Sequence, residues 1–460
     1  MSELVIYGSY GYTGSLVAEK AVDRGLDPIL VGRDAEKVTA QADELGVRAR
    51  VASLDTVADR IDDAHTVLNC AGPFSETAEP MVDACLDAGA NYLDITGEIQ
   101  VFERLKRRGP EAEEAGVTIL PGVGFDVVPT DCLAAHLAER LPEATHLSLG
   151  FDTSGSLSTG TLKTAIEGLG EGGAIREDGN LHHVPSGWKT REIDFGRGWR
   201  TAVTIPWGDV STAYTTTGIP NIEVYAAFPE STRRTMEAQR YLAPLLETKP
   251  AKRLLKRLAD RYAGNPSAEE RADATVYVWG EAAADGDERV VSRLRTPHAY
   301  ALTAETAILC AEKTLAGDAP PGYQTPASAF GPDLILAVPG VERTDDDVRA
   351  SDEAEESENV DKAEELGNVD EAEESENVDE AEGDVSEIES DDETAEGVDD
   401  EVIEKREVVE EADDDAAVTG ESDAADEEES DATDENGETS GVDAEADSEA
   451  NSDDEARPDE

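Results

Sequence analysis

Short apolar runs alternate with amphipathic stretches over the first 120 residues. The runs are rich in Val, Ile and Leu, as buried parallel strands are. They lie at 4–7, 28–31, 47–51, 66–70, 91–95 and 117–120. Helical spacing predicts helices after residue 14 and at 34–45, 77–88 and 100–114. This alternation predicts an α/β fold that opens with a doubly wound parallel sheet, a Rossmann domain over residues 1–125.

The pattern changes after residue 125. The predicted strands become longer and alternate between apolar and polar positions, which is typical of an antiparallel sheet covered on one face. They lie at 144–151, 189–195, 199–205, 221–228, 273–279 and 288–296, with helices near 157–168, 231–262, 299–316 and within 322–338. Asp285-Gly286-Asp287 predicts a hairpin turn. We therefore expect a second, α+β domain with a mostly antiparallel sheet over residues 126–340.

Residues 341–460 form an acidic segment of low complexity. From residue 345 onward there are 55 acidic and 5 basic residues, and Asn-Val-Asp recurs at 359–361, 368–370 and 377–379. Such a segment buries too little apolar surface to offset chain entropy, so we expect a disordered tail. A solubilising appendage and a partner-binding segment are the two interpretations left open.

The net charge of −68 also includes an acidic folded part, which suits a salt-rich solvent and predicts a halophilic host. So negative a field argues against nucleic-acid partners. The four cysteines have no C-x-x-C spacing, so neither zinc nor disulfides are predicted, and a reducing cytoplasm is expected. No stretch is long and apolar enough for a membrane span. The leucines of the predicted helix 231–262 could contact a membrane surface, so peripheral membrane association stays open. Packing of these leucines in the core is the favoured interpretation.

Three glycines follow the first apolar run and precede a helix. Gly8, Gly11 and Gly14 stand in the turn Gly8-Ser9-Tyr10-Gly11-Tyr12-Thr13-Gly14. Strand, glycine turn and helix is the context in which a dinucleotide pyrophosphate lies on bare backbone at a helix N-terminus. The structural alternative is a plain turn before a helix. Arg33 follows the second strand, where a guanidinium accommodates the 2′-phosphate of NADP, and we expect NADP, with NAD possible because Asp34 is adjacent.

Other candidates follow later strands of the predicted sheet. Asp55 is placed to face the adenine, and Cys70, Ala71, Gly72, Pro73 and Phe74 form a loop near the nicotinamide half. The candidate catalytic residues are Tyr92, Glu98 and Asp126. Asp126 has the alternative of a turn or N-cap carboxylate, and Glu98 that of a turn anchor. No tyrosine has a lysine four residues later, so a Tyr-x-x-x-Lys mechanism is not indicated.

These stretches resemble the saccharopine dehydrogenase-like oxidoreductases, in particular the branch called trans-acting enoyl reductases. The resemblance rests on Gly8–Gly14, Val31–Asp34, Asn69–Phe74, Tyr92–Glu98, Gly124–Asp131 and Thr325–Ala327, in family order. It implies a Rossmann NAD(P) domain joined to a mixed α/β domain, with the active cleft between them, and a link to lipid metabolism. The acidic tail has no place in it.

The sequence as a whole therefore predicts an NAD(P)H-dependent oxidoreductase that reduces a C=C, C=O or C=N bond of a lipid-type or other small organic substrate. Two alternatives stay open. One is saccharopine-type reductive amination, for which Lys163, Arg176, Lys189 and Arg191 are available to hold substrate carboxylates. The other is a cofactor-binding scaffold or accessory subunit of a synthase, without turnover. A homodimer paired through the edge of the second sheet is a general expectation.

Overall fold

The computed structural model describes residues 3–153, 172–228, 274–286 and 288–348, and a few single positions between 248 and 269. The predicted helix 157–168 and nearly all of 231–262 lie outside the described residues. So does the acidic segment beyond Val348.

The first part of the chain alternates strands and helices as the pattern predicts. Its elements are β1 (Leu4–Tyr7), α1 (Tyr12–Asp23), β2 (Ile29–Gly32), α2 (Ala35–Leu45), β3 (Arg48–Val51), β4 (Thr66–Asn69), α3 (Phe74–Ala88), β5 (Asn91–Asp94), α4 (Ile99–Arg107), α5 (Gly109–Ala115) and β6 (Thr118–Leu120). The single predicted helix at 100–114 is two helices, which meet at Arg108 and have Pro110 at the start of the second. Proline fits there because its missing N–H needs no partner in the first turn.

The rest of the chain builds the second sheet and then returns to the first. Its elements are α6 (Val128–Arg140), β7 (His146–Thr153), β8 (Gly173–Glu177), β9 (Asn180–Val184), β10 (Thr190–Asp194), β11 (Trp199–Thr204), α7 (Asp209–Thr217), β12 (Asn221–Ala227), β13 (Thr275–Ala283), β14 (Arg289–Pro297), α8 (Ala299–Leu315), β15 (Gly322–Tyr323), α9 (Pro326–Phe330) and β16 (Glu342–Val348). The predicted helix within 322–338 is wrong, because a strand and two short helical turns occupy that range.

The first sheet is parallel throughout its described pairs, in the order β15-β6-β5-β4-β1-β2-β3. β1 and β4 are buried at all four positions, as expected of strands covered on both faces. Their carboxyl ends, at Tyr7 and Asn69, lie side by side in register. The loops that follow these strands therefore meet at one edge of the sheet. The predicted Rossmann-type architecture is confirmed.

The second sheet is mixed, in the order β10-β11-β12-β7-β13-β14-β16, with β8 and β9 attached beside β12. Its described pairs are antiparallel except β7 with β12, which is parallel. α6 packs on one face: Leu133 and Leu137 lie so close to Gly280 of β13 that an added Cβ would be 2.7 Å from Leu137 Cδ1. The mostly antiparallel second sheet is confirmed. β16 extends it to Val348, beyond the predicted start of the tail at 341.

Elements from both halves share one hydrophobic core. A single cluster joins Leu30 and Leu68 of the first sheet to Leu149 and Val278 of the second. α8 lies against α1, where Lys20 pairs with Glu305 at 2.7 Å and Arg24 pairs with Glu312 at 2.6 Å. The domain boundary at residue 125 therefore stays a prediction. The two sheets share one hydrophobic cluster, so no gap between separate cores marks that boundary. Among the described residues, the helices are all too short or too polar to cross a bilayer.

Candidate functional site

The glycine turn after β1 leaves no room for side chains. Gly8 has φ +77°, and a Cβ there would lie 2.8 Å from Ala71 Cβ. A Cβ on Gly14 would lie 2.3 Å from the carbonyl oxygen of Gly8. Gly11 precedes α1 and offers no side-chain cap to the helix N-terminus. The turn therefore presents bare backbone and a positive helix end, which together favour an anionic group.

Two buried polar atoms, one in this turn and one beside it, lack hydrogen-bond partners in the described residues. Ser9 is completely buried, and its hydroxyl makes no hydrogen bond. Gln41 of α2 donates its amide to the Ser9 carbonyl at 2.9 Å, while its own carbonyl oxygen is buried without a partner. Buried polar atoms without partners are rare and ask for an explanation. A polar ligand in the turn would supply one.

Arg33, the residue predicted to bind the 2′-phosphate of NADP, follows the end of β2. Arg33 is exposed and has no ion pair or hydrogen bond within the described residues. Asp34 caps α2 by accepting from the Lys37 N–H at 3.2 Å, which lowers its pKa, so its carboxylate is already engaged. The ring of Tyr10 covers Gly32, and the Lys37 ammonium lies 5.7 Å from the centre of that ring. Two cations thus flank the place expected for the adenosine ribose.

Asp55 belongs to the same edge of the sheet. It lies exposed on a short helical turn after β3. The charges of Arg33 and Asp55 both act on the phenol of Tyr7, whose pKa is raised chiefly by burial. The structure thus brings the predicted adenine-side residues together around the end of β1.

The second predicted loop, Cys70–Phe74, is held by hydrogen bonds from Asn69 and Thr77. Asn69 Oδ1 accepts from the Ala71 N–H at 3.0 Å, and Thr77 Oγ1 donates to the Ala71 carbonyl at 2.6 Å. Ala71 in turn packs against Gly8, so the two loops support each other. Burial raises the pKa of the Cys70 thiol to about 12, which keeps it protonated and unsuited to act as a nucleophile.

Glu98 acts as a helix cap. Its two oxygens accept from the N–H groups of Phe74 at 2.9 Å and Ser75 at 3.0 Å, the first residues of α3. Both carboxylate oxygens of Glu98 therefore accept from backbone N–H groups, and the negative charge stabilises the N-terminus of α3. The geometry supports the turn-anchor interpretation and argues against Glu98 as a proton-transfer group.

Tyr92 lies in the core of the first sheet, away from solvent. It is completely buried, and its hydroxyl donates to Asp94 at 2.7 Å. Asp94 also accepts from the N–H groups of Thr96 at 3.0 Å and Gly122 at 2.9 Å, which joins the loops after β5 and β6. Burial raises the pKa of Asp94 to about 6. The geometry argues against a catalytic Tyr92, because its hydroxyl is bonded to a buried carboxyl that links two strand-end loops.

Asp126 differs from the other two candidates. It lies on the loop after β6, is partly exposed, and makes no hydrogen bond or ion pair within the described residues. Its carboxylate rests against bare backbone, since a Cβ on Gly97 would lie 2.7 Å from Asp126 Oδ2. Burial raises its pKa to about 6. Thr303 and Thr306 of α8 fix its loop by bonds to Phe125 N at 3.0 Å and Val123 O at 2.8 Å.

Several residues at this edge were not predicted. Phe125, Phe151 and Trp207 form an aromatic cluster, with ring centres 5.7 Å and 4.8 Å apart along the series. Gly208 lies against Gly97, because its added Cβ would be 3.3 Å from the Gly97 carbonyl. Asp209 follows at the start of α7. In the sequence, only the Pro206-Trp207-Gly208 break before a polar helix could have indicated this segment.

Tyr12 of the predicted glycine turn contacts Tyr300 of α8, with the two rings edge to face and their centres 5.1 Å apart.

The residues present fit a nicotinamide dinucleotide. The glycine turn packs so closely that a Cβ at position 8 or 14 would clash with Ala71 or with the Gly8 carbonyl, and the buried Ser9 hydroxyl has no hydrogen-bond partner within the described residues. The Gly8–Gly14 turn would hold the pyrophosphate, Arg33 and Asp55 the adenosine half, and the Cys70–Phe74 loop the nicotinamide half. Asp126 follows β6 at the same edge, where ligands of open parallel sheets bind.

Comparison with known proteins agrees with this geometry. Residues 4–120 match the family described as the saccharopine dehydrogenase NADP-binding domain. The predicted resemblance and the expected NADP-type cofactor domain are thereby confirmed. The structure is similar to apo saccharopine dehydrogenase (L-Glu forming) from Saccharomyces cerevisiae, with a TM-score of 0.56 at 11% identity, covering 75% of this chain and all of that one. At so low an identity, this likeness shows the fold alone.

Two curated relatives are similar over part of their length. A saccharopine dehydrogenase-like oxidoreductase from Homo sapiens is 30% identical over 213 residues, which are 39% of this chain and 49% of that protein. A putative trans-acting enoyl reductase from Mycobacterium tuberculosis is 32% identical over 190 residues, 36% of this chain and 44% of that protein. The chain thus aligns with about half the length of these relatives or less.

Proposed function

We propose that this protein is an NADPH-dependent reductase that acts on a C=C, C=O or C=N bond of a lipid-type or other largely apolar organic substrate. The observation that carries the proposal is Asp126. It is the one predicted catalytic group that the structure leaves accessible and without a hydrogen-bond partner in the described residues, on the edge that also bears the glycine turn.

The chemistry needs a proton donor beside the cofactor. NADPH, when bound, supplies the hydride. The protein must orient the substrate, exclude water and deliver one proton. Asp126, with its pKa raised to about 6, keeps a protonated fraction near neutral pH and can donate from the edge of the cleft. The aromatic cluster of Phe125, Phe151 and Trp207 gives an apolar body a surface beside it.

Preference for NADPH over NADH rests on the cations after β2. Arg33 is exposed with no partner in the described residues, and Lys37 lies one helical turn further on. A 2′-phosphate between them would gain charge-assisted hydrogen bonds that NADH cannot make. Asp34 uses one oxygen to cap α2 and holds the other 3.5 Å from the Lys37 ammonium, so its carboxylate has partners other than a ribose.

The charges of the second sheet argue against saccharopine-type reductive amination. Such a substrate carries several carboxylates, which need unengaged cations. Arg176 is buried and bonds to Glu103 at 3.0 Å, Arg191 pairs with Glu281 at 2.8 Å, and Lys189 pairs with Glu223. Lys163 lies outside the described residues. The names of the relatives, oxidoreductase and trans-acting enoyl reductase, agree with reduction of an organic substrate.

Titration of the full chain with NADPH in high salt tests the cofactor, followed by NADPH oxidation with medium-chain enoyl and ketoacyl thioesters. We expect NADPH to bind, and to be oxidised with at least one of these classes. Binding without oxidation of any class would favour the scaffold function. Failure to bind at millimolar NADPH would overturn the proposal.

A further inference from the structure

The first turn of α8 contacts two parts of the candidate site that are far apart in the sequence. Tyr300 packs against Tyr12 of the glycine turn, with ring centres 5.1 Å apart and ring planes at 76°. One helical turn further on, the Thr303 hydroxyl accepts from the Phe125 N–H at 3.0 Å, directly before Asp126. Residues three apart on a helix share a face. This face of α8 therefore runs from the glycine turn to the loop that carries Asp126.

Both of these contacts are tight. A Cβ added to Gly124 would lie 3.0 Å from Thr303 Cγ2, so α8 packs directly on the loop after β6. Beyond the first turn, Lys20 and Arg24 of α1 both pair with Glu305, at 2.7 Å and 3.1 Å. These ion pairs hold α8 against the helix that begins in the glycine turn. The first turn of α8 is thus a fixed wall between the glycine turn and Asp126.

The ring of Tyr300 is also held by its neighbour His298. The Tyr300 N–H donates to His298 Nδ1 at 3.2 Å, and the two rings stack with centres 5.6 Å apart and planes at 25°. His298 is buried, whereas Tyr300 and Tyr12 both keep part of their surface exposed. A ring that its neighbours fix and that stays partly exposed can contact a ligand with little loss of conformational freedom.

The position of this wall matches the span that a dinucleotide has to cross. A dinucleotide with its pyrophosphate on the glycine turn, reacting beside Asp126, must extend between these two places. The Cys70–Phe74 loop, in which Ala71 packs on Gly8, lines one side of that span. The first turn of α8 contacts both of its ends, so the exposed edge of Tyr300 lies along it.

We propose that Tyr300 is a cofactor-binding residue that packs against the nicotinamide half of NADPH. This rests on the proposed binding of NADPH. Tyr300 lies outside residues 4–120, which match the NADP-binding family domain, so the second half of the chain completes the cofactor site. The ring provides an apolar surface for the nicotinamide riboside and excludes water from the α8 side of the cleft.

Titration calorimetry of the full chain in high salt, with two ligands, tests this contact. Adenosine 2′,5′-bisphosphate carries the adenosine half of the cofactor with its 2′-phosphate and lacks the nicotinamide half. We expect Tyr300→Leu to weaken NADPH binding by roughly tenfold, the value of one aromatic contact, and to leave binding of the bisphosphate unchanged. Tyr300→Phe keeps the ring and should bind both ligands as the wild type does. Equal losses for the two ligands, or no loss for NADPH, would overturn the proposal.

Glu305→Gln is the matched control on the same helix. It weakens the ion pairs with Lys20 and Arg24 and so loosens α8 from α1 without removing the Tyr300 ring. We expect this variant to treat NADPH and the bisphosphate alike. If it discriminated between the two ligands as Tyr300→Leu does, loosening of α8 would account for both variants and the contact would be refuted.

Fluorine NMR provides a readout that does not depend on the folding of Tyr300→Leu. In the full chain with 3-fluorotyrosine in place of Tyr300, NADPH should shift the fluorine resonance and the bisphosphate should not. A resonance that stays in place while NADPH binds would refute the Tyr300 contact and leave the proposed function standing. Failure of the wild type to bind NADPH would overturn both.

Discussion

Glu98 accepts hydrogen bonds from the backbone of Phe74 and Ser75, at 2.9 and 3.0 Å, and so caps a helix that begins 24 residues earlier in the chain. The helix it caps begins directly after the Cys70–Pro73 loop, whose other end packs on Gly8. One carboxylate from the loop after β5 thus positions the loop after β4. This arrangement couples the stability of α3 to the shape of the cofactor site.

Glu98→Ala should lower stability by about 1–2 kcal/mol, the cost of losing a charged helix cap, and weaken NADPH binding because the Cys70–Phe74 loop loses its anchor. Chemical denaturation and NADPH titration measure the two effects. Glu76→Ala is the matched control, since Glu76 lies in the first turn of the same helix but makes no cap bond in the described residues. Equal effects of the two variants would show that only the helix dipole matters.

This cap illustrates what the sequence could and could not predict. Strand and helix periodicity identified the parallel sheet, because each signal lies within a few consecutive residues. The partners of Glu98 and Tyr92 are fixed by tertiary packing, so a local pattern left both as candidates for chemistry. Of the three, only Asp126 combines partial exposure with a carboxylate that makes no hydrogen bond within the described residues.

Two missed elements have different reasons. The β8–β9 hairpin turns at Asp178-Gly179, with φ +48° and +77°, and Asp-Gly is a strong hairpin signal, but polar β9 lacks the apolar alternation that would mark it as a strand. α7, with its run of Thr215, Thr216 and Thr217, has poor intrinsic helix propensity. Its packing against α6 and α4 stabilises it, and no sequence window contains that information.

Arg33→Ala should lower affinity for NADPH by roughly 10- to 100-fold, the loss of charge-assisted hydrogen bonds to the 2′-phosphate, and leave affinity for NADH nearly unchanged. Parallel fluorescence titrations in high salt measure both constants. Lys37→Ala should give a smaller loss in the same direction. Arg60→Ala, an exposed arginine elsewhere on this domain, is the control for net charge. Equal losses for both cofactors would place Arg33 away from the phosphate.

Gly14→Ala should destabilise the fold by about 1–3 kcal/mol and abolish dinucleotide binding, because its methyl group would lie 2.3 Å from the Gly8 carbonyl oxygen. The clashing atom belongs to the backbone of Gly8, which cannot move aside as the end of a flexible side chain can. Gly25→Ala is the comparison, since Gly25 has φ +82° but no atom within 4 Å of an added Cβ, so it reports backbone strain alone. Unchanged NADPH affinity in Gly14→Ala would show that the turn does not hold the pyrophosphate.

Asp131→Asn tests the effect of a buried acid on stability. Burial raises the pKa of Asp131 from 3.8 to about 6 in the folded protein. The folded state therefore binds the proton more tightly than the unfolded state, and the contribution of this group falls as pH rises from about 4 to about 6. Relative to wild type, Asp131→Asn should gain about 2–3 kcal/mol between pH 4 and pH 7.5. An equal stability difference at both pH values would contradict this.

Asp126→Asn should separate chemistry from binding. Because Asp126 lies after β6, away from the glycine turn and Arg33, we expect the variant to bind NADPH as the wild type does. Loss of the proton donor should lower kcat by roughly 10²-fold or more. Tyr92→Phe is the matched structural variant: it deletes a buried hydroxyl bonded to Asp94, and should cost about 1 kcal/mol of stability with little change in kcat. If instead Tyr92→Phe lost activity at unchanged stability and Asp126→Asn kept it, the proton would come from the buried Tyr92–Asp94 pair.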